Sequence, residues 1–210
     1  MIRKFFDVSG EIVSTTFTAE PNLWSEYIAK SEYSKAHDLQ WSLCYGEYGE
    51  ISFPVVFHQD RHHYGTKKRD VLNPGFIHLP LISDRLKTLL EESGMTGWQC
   101  YPIELYDKRG NRVYGYNGLS IIGRAGEVIK LENPPTELGY SPNSYGCSFD
   151  LNTWDGSDIF RGLPNYILIT ERLANILIDN KISGIRLTRL TDYGDLKKVK
   201  GYSKVSCLII

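Results

Sequence analysis

Apolar residues along this chain follow two rhythms, and the passage from Leu81 to Ile103 contains both. Leu81-Ile82 opens as a strand, then Leu86, Leu89 and Leu90 fall at i, i+3 and i+4, the spacing that buries one face of a helix. Ser83 is placed to accept a hydrogen bond from the free N–H groups of that helix, and Asp84 lies in its first turn, where the helix dipole favours a negative charge. Gly94 is the residue type that tolerates the left-handed conformation at a helix end. From Gly97, the run Trp98-Gln99-Cys100-Tyr101 returns to strand alternation. Moved by 87 positions, residues 81–103 lie on 168–190 without a gap, and six of the 23 positions are identical: Leu81, Ile82, Arg85, Leu86, Leu90 and Gly97. Thr170, Glu171, Leu173, Ile176, Leu177 and Gly184 repeat the same cap, helix face and strand start, with Asn180 and Lys181 at the helix end. The pattern predicts helices over 83–93 and 170–180, each followed by a strand.

Elsewhere the pattern is shorter in range. Lys4–Val8 and Ile12–Phe17 flank Ser9-Gly10-Glu11 and predict a hairpin. Pro21 followed by Leu23, Trp24, Tyr27 and Ile28 predicts a short amphipathic helix over 21–31. The aromatic residues and glycines between Trp41 and Phe57 predict strands and turns. Asp107-Lys108-Arg109-Gly110-Asn111 has the turn chemistry to join strands Ile103–Tyr106 and Arg112–Tyr114. Residues 131–160 are rich in Pro, Gly, Ser and Asn and predict a long irregular segment. The fold class that results is α+β. A mixed or antiparallel sheet carries two similar helix–strand units, at about 81–105 and 168–190, in a single domain over 1–210.

Composition narrows the function classes. The 24 Lys and Arg against 25 Asp and Glu give a net charge of −1, which does not suit a strongly basic nucleic-acid binder. No apolar run reaches the length of a membrane span, about 18 residues or more, and Met1–Asp7 lacks the apolar region of a secretory signal. A cytoplasmic location is therefore expected, without membrane or direct nucleic-acid contact. The cysteines at 44, 100, 147 and 207 are too widely spaced for a CxxC site and are expected as free thiols.

Each catalytic or cofactor motif is incomplete. His58 and His62 have i,i+4 spacing, but they follow the strand-like run Phe53–Phe57 and lack the glutamate of HExxH, so no metal is expected. Gly118–Ala125 has the glycine spacing of a phosphate loop, yet Arg124 and Ala125 stand where its Lys and hydroxyl belong, and the interior reads as a strand. No catalytic residue and no cofactor emerge. Charge is unevenly placed, however. Residues 131–160 contain Glu132, Glu137, Asp150, Asp155 and Asp158 and no Lys or Arg, interleaved with Tyr140, Tyr145, Phe149, Trp154 and Phe160. Carboxylates among aromatics suit a protein interface; the same Trp154-Asp155-Gly156-Ser157-Asp158 run also suits a turn that packs Trp154 and caps a helix.

Three stretches carry a resemblance: Leu81–Leu105 with Gly97-Trp98 and Tyr101-Pro102-Ile103-Glu104-Leu105; Gly115–Arg124; and Phe149–Phe160 with its Trp-Asp-Gly-Ser-Asp-Ile-Phe run. Together they resemble a bacterial family of α+β proteins grouped with the immunity proteins of polymorphic-toxin systems. The resemblance covers residues 75–195 and leaves 1–74 as an N-terminal part packed on an immunity-like part, 75–210. It implies a non-catalytic cytoplasmic protein that binds and neutralises a cognate toxin domain, a nuclease being the case an acidic surface would suit. Glu137, Tyr145, Trp154, Asp155 and Asp158 are the expected partner-binding residues. The alternative is an enzyme or small-ligand binder whose site gathers distant residues, such as His58, His62 or His63 with Asp155 and Asp158.

Overall fold

The computed structural model describes residues 5–10, 14–22, 33–49, 54–72, 79–125, 128–131, 146–149, 152–161, 167–189 and 207–209. In chain order the elements are β1 (Phe5–Gly10), β2 (Ala19–Pro21), α1 (Tyr33–Tyr45), β3 (Val55–Gln59), β4 (Val71–Leu72), β5 (Leu81–Ser83), α2 (Asp84–Glu92), β6 (Trp98–Tyr101), β7 (Ile103–Tyr106), β8 (Arg112–Val113), β9 (Tyr116–Ile121), β10 (Gly123–Arg124), β11 (Val128–Leu131), β12 (Gly146–Phe149), β13 (Ile159–Arg161), β14 (Ile167–Thr170), α3 (Glu171–Asp179), β15 (Ile185–Arg189) and β16 (Cys207–Ile209). The fold is α+β. Its sheets run β10-β13-β14-β1-β15-β16, β4-β5-β9-β6, β2-β3-β7-β8 and the hairpin β11-β12. Among the described residues no helix is long and apolar enough to cross a membrane.

The two units expected from the repeat are present, and the bounds of their helices differ by the same 87 positions. Ser83 Oγ accepts from Leu86 N at 3.2 Å, and Thr170 Oγ1 accepts from Leu173 N at 3.4 Å, so each cap satisfies a donor at the first turn. Both helices end in a left-handed residue, Gly94 (φ 60°) and Lys181 (φ 51°). Gly97 and Gly184 start the strands at φ 88° and 91°; a Cβ there would lie 2.0 Å from Ile159 O and 2.2 Å from Val71 O. Only glycine fits both the backbone angle and that approach.

The units also exchange strands. β5 and β6 lie on either side of β9, while β14 and β15 lie on either side of β1. Leu81 faces Gly118 as Leu168 faces Asp7, and Tyr101 faces Gly118 as Thr188 faces Asp7. The central strand of the later unit is thus the first strand of the chain. This corrects the expected N-terminal hairpin: both edges of β1 are occupied by distant strands, and Thr16 instead forms a bridge with Lys67. It also means that sheets cross the expected division at residue 74, since β1 and β3 each pair with strands beyond it.

Two carboxylates tie the units together in reciprocal fashion. Asp70 Oδ1 accepts from Ser83 Oγ at 3.0 Å, and its Oδ2 accepts from Ser183 N and Oγ at 2.9 and 2.8 Å, with Arg85 at 3.0 Å. Asp158 Oδ1 accepts from Thr170 Oγ1 at 3.0 Å, its Oδ2 from Thr96 N and Oγ1 at 3.2 Å, with Arg172 at 3.8 Å. Each aspartate grips the cap of one unit and the strand entry of the other. Arg85 then donates to Asn180 O and Arg172 to Ser93 O, so each arginine also caps the opposite helix. Burial raises the Asp70 pKa, but the bonds from Ser183 and Ser83 and the charge of Arg85 outweigh it and hold the carboxyl below its ordinary value.

Between the units lies one shared core. Ile82, Leu86, Leu90 and Met95 from the first meet Ile169, Leu173, Leu177 and Ile182 from the second. A second core forms where the inward residues of β2, β3, β7 and β8 (Ala19, Val55, Phe57, Leu105 and Val113) meet Leu43 and Cys44 of α1 and Leu81 and Tyr101. Leu81 and Ile82 are therefore both fully buried, on opposite faces of one strand.

Other local expectations divide. The hairpin β7–β8 forms, with Asp107 Oδ1 accepting from Arg109 N and Asn111 N at 2.8 Å. Gly118–Ile121 is strand, as its sequence predicts. Trp41–Tyr45 is helical: Ala36, Leu43 and Cys44 are buried at i, i+7 and i+8, a period that the density of aromatic residues obscures. Pro21 closes a strand, Pro21 facing Phe57, and the helix expected over 21–31 lies outside the described residues from Leu23 onward. The irregular segment 131–160 contains β12, which pairs with β11.

Candidate interaction surface

α1 places His37, Trp41 and Tyr45 four residues apart, along one stripe of the helix. The Trp41 indole N–H donates to His37 Nε2 at 2.8 Å, which fixes the ring and requires His37 to accept there. Trp41 and Tyr45 stack with centroids 5.6 Å apart and planes 16° apart. None of the three is buried.

Arg124 of β10 lies over the end of this stripe, its guanidinium 4.8 Å from the Tyr45 centroid. Nη1 donates to Ile121 O at 3.0 Å and Gly123 O at 3.2 Å, and Nη2 reaches Glu47 at 3.3 Å. These contacts hold a long side chain in one place and reduce the entropy lost when a partner binds. Arg161 lies beneath, 5.4 Å from the same ring and 5% exposed. Its burial pulls the guanidinium pKa below the ordinary value, opposed by Cys44 and Tyr45.

Asp155 completes the arrangement. Its Oδ2 accepts from Arg124 N at 2.8 Å, and its own N–H donates to Arg124 O at 3.3 Å, so the 152–157 loop is latched to β10. Oδ1 accepts from Ser157 N and Oγ at 2.9 and 2.6 Å. Burial opposes ionisation, yet the Ser157 and Arg124 bonds prevail and the carboxyl titrates below its ordinary value. Asp155 remains exposed.

The other expected partner-binding residues fall differently. Trp154 is half-buried and packs edge-on to Phe5 at 5.4 Å and tilted against Phe160 at 5.5 Å, which anchors the loop. Asp158 is 7% exposed and its carboxylate is committed to Thr96, Thr170 and Arg172; it braces the capping residue Thr170 and does not cap the helix itself. Glu137 and Tyr145 lie outside the described residues. The stripe lies where the density of aromatic residues predicts strands and turns; the i,i+4 spacing of His37, Trp41 and Tyr45 is the signal in the sequence that points to it.

The residues of the alternative catalytic site are not gathered. His62 N–H donates to Asp60 Oδ1 at 2.7 Å and His63 Nδ1 meets Asp60 Oδ2, while His58 stacks on Tyr106 at 5.6 Å. Asp155 and Asp158 are held in the loop before β13. Among the described residues no group of three or more His, Cys, Asp or Glu is arranged to hold a metal. The chain matches no protein-family model and no curated protein.

Proposed function

We propose that this chain is a non-catalytic binding protein that neutralises a cognate toxin domain in the cytoplasm, and that the toxin docks on the surface formed by Trp41, Tyr45, Arg124 and Asp155. The observation that carries the reading is the continuous contact from Trp41 through Tyr45 and Arg124 to Asp155, with none of the four buried. Trp, Tyr and Arg are the residue types on which interface energy concentrates. Here their rings and guanidinium are held in place before a partner arrives. Glu137 and Tyr145 of the acidic stretch extend the same proposal.

The test is co-purification of the tagged chain from its native cells, beside Tyr45→Ala and Trp41→Ala. A toxin-domain protein should be recovered with the wild-type chain, and co-expression should protect cells from it. Each substitution should weaken the complex by about thirtyfold, as loss of about 2 kcal/mol implies. If a toxin domain binds equally to both variants, the surface is elsewhere; if no toxin domain binds, the function is wrong.

A further inference from the structure

β3 and β7 are parallel neighbours, paired from Val55 against Ile103 to His58 against Tyr106. The loops leaving their C-terminal ends therefore emerge side by side. The first reads Asp60-Arg61-His62-His63-Tyr64-Gly65-Thr66-Lys67-Lys68, and the second Asp107-Lys108-Arg109-Gly110-Asn111.

Inward-facing polar groups hold these loops in shape. Gln59, which is buried, donates to Gly65 O at 2.8 Å and accepts from Lys108 N at 3.2 Å, joining one loop to the other. Asp60, also buried, accepts from His62 N and His63. Burial raises its pKa, but those bonds and the two imidazoles more than offset this, so the carboxyl lies below its ordinary value. Lys67 N donates to Thr15 O, and Phe17 N to Lys67 O, both at 2.9 Å. Lys108 Nζ reaches Arg61 O at 3.0 Å.

Arg61, His62, Tyr64, Lys67, Lys68, Lys108 and Arg109 all face solvent from this scaffold. Five of these seven carry a permanent positive charge, and the two carboxylates within the loops, Asp60 and Asp107, are engaged by neighbouring groups of their own loops. In a chain of net charge −1 this concentration is invisible in the composition. Tyr64 is 84% exposed, with Lys108 Nζ 4.0 Å from its centroid. On the adjoining open face of the sheet, His58 and Tyr106 stack with planes 24° apart. Glu104 accepts the Tyr106 hydroxyl at 2.8 Å and faces Arg112 at 3.4 Å, and Glu20 faces His58 across the strand pair.

We infer that these two loops bind single-stranded nucleic acid, the cations meeting phosphates and Tyr64 stacking on a base. Cations beside exposed rings are the combination that single strands reward, because unpaired bases offer flat faces at the spacing of the phosphates. An acidic peptide would use the charges and leave Tyr64 idle, and a duplex keeps its bases stacked on one another. The site shares no residue with the surface around Trp41 and Tyr45, and stands or falls separately from it.

Fluorescence anisotropy with a labelled oligouridylate tests this, with a duplex of equal length and polyglutamate as comparators. Five phosphate contacts give a slope of log K against log salt of about −3.5, so a fourfold rise in salt should weaken binding by about a hundredfold. Replacing Lys67 and Lys68 by Ala should make the slope shallower by about 1.4. Tyr64→Ala should lower affinity by about five- to hundredfold at an unchanged slope, and Tyr64→Phe should retain it. Thermal melting of each variant should match wild type, since the altered side chains are exposed; if Tyr64→Ala fails to fold, the Tyr64→Phe and Lys67/Lys68 results decide. Absence of oligouridylate binding at low salt overturns the inference. So does equal binding of polyglutamate or duplex, or indifference to Tyr64→Ala in a folded protein, which would mark a general anion surface.

Discussion

Replacing Asp70 by Ala should be among the most damaging single changes to the polar groups of this protein. The carboxylate receives three bonds from Ser183 N, Ser183 Oγ and Ser83 Oγ at 2.8–3.0 Å, and its side chain is only 11% exposed. Hydrogen bonds to a charged group contribute about 1.5–3 kcal/mol each. The Arg85 partner is 55% exposed, so that ion pair adds no more than about 1 kcal/mol. Taking the low end for the three shielded bonds, and allowing water to reach the orphaned donors in part, gives a loss of about 3–4 kcal/mol. In urea the unfolding midpoint should fall by about 1–2 M, with melting lowered by about 6–16 °C for a chain of this size. Asp158→Ala should lose somewhat less, because its bonds are longer, at 3.0–3.2 Å, and Arg172 stands at 3.8 Å. A double-mutant cycle of Asp70→Ala with Ser183→Ala should show coupling of about 1 kcal/mol or more. A midpoint for Asp70→Ala within about 0.2 M of wild type would refute the idea that this carboxylate holds the two units together.

Three further outcomes follow from the same geometry. Gly97→Ala and Gly184→Ala should each cost about 2–4 kcal/mol in chemical denaturation, whereas Gly110→Ala, at φ 80° with nothing within 4 Å of its Cβ position, should cost about 1 kcal/mol. Asp60, Asp70 and Asp155 all titrate below the ordinary aspartate value; their stabilisation is complete above about pH 4 and is lost as pH falls through the depressed values, so the urea midpoint should drop below about pH 4, less steeply in Asp70→Asn. Burial pushes the Cys44 and Cys100 thiols up to about 11, so neither should be alkylated by iodoacetamide at neutral pH while the chain is folded, as peptide mass mapping would show.

What the sequence makes legible is whatever a few neighbouring residues decide. Ser83 and Thr170, three residues before Leu86 and Leu173, announce their helices locally, and both formed where the spacing predicts. The carboxylates that serve those caps leave no such local mark. Asp70 and Asp158 stand 88 positions apart, one more than the rest of the repeat, so a gapless comparison passes over their equivalence. Strand partners are legible only across a tight turn, as in β7–β8, and not between distant segments. Nothing within Phe5–Gly10 states that its neighbours begin at Ile167 and Ile185, and a strand beside a Ser-Gly turn invites the nearer pairing. At the candidate surface, the turn around Trp154 and Asp155 is legible from its Asp-Gly-Ser, but its contact with Arg124, which in turn lies over Tyr45, is made across the fold. The basic loops were hidden for another reason: net charge sums over the whole chain, while a ligand meets only one face.

The placement of β1 bears on the order in which the chain is made. Phe6 pairs with Arg189, 189 − 6 = 183 residues later in translation. At about 5–20 residues per second the N-terminal strand waits about 10–40 s after its synthesis before its last neighbour exists. During that interval Phe5 and Phe6, both buried in the finished protein, have no sheet to enter. Among the described residues the other shared strand waits far less, since β9 begins 116 − 101 = 15 residues after β6, beyond the β7–β8 hairpin, and can close the first unit as it emerges. Ribosome-bound chains ending before β14 should therefore hold a protected first unit and a β1 segment open to protease, and the emergence of β14 and β15 should be the step that seals it.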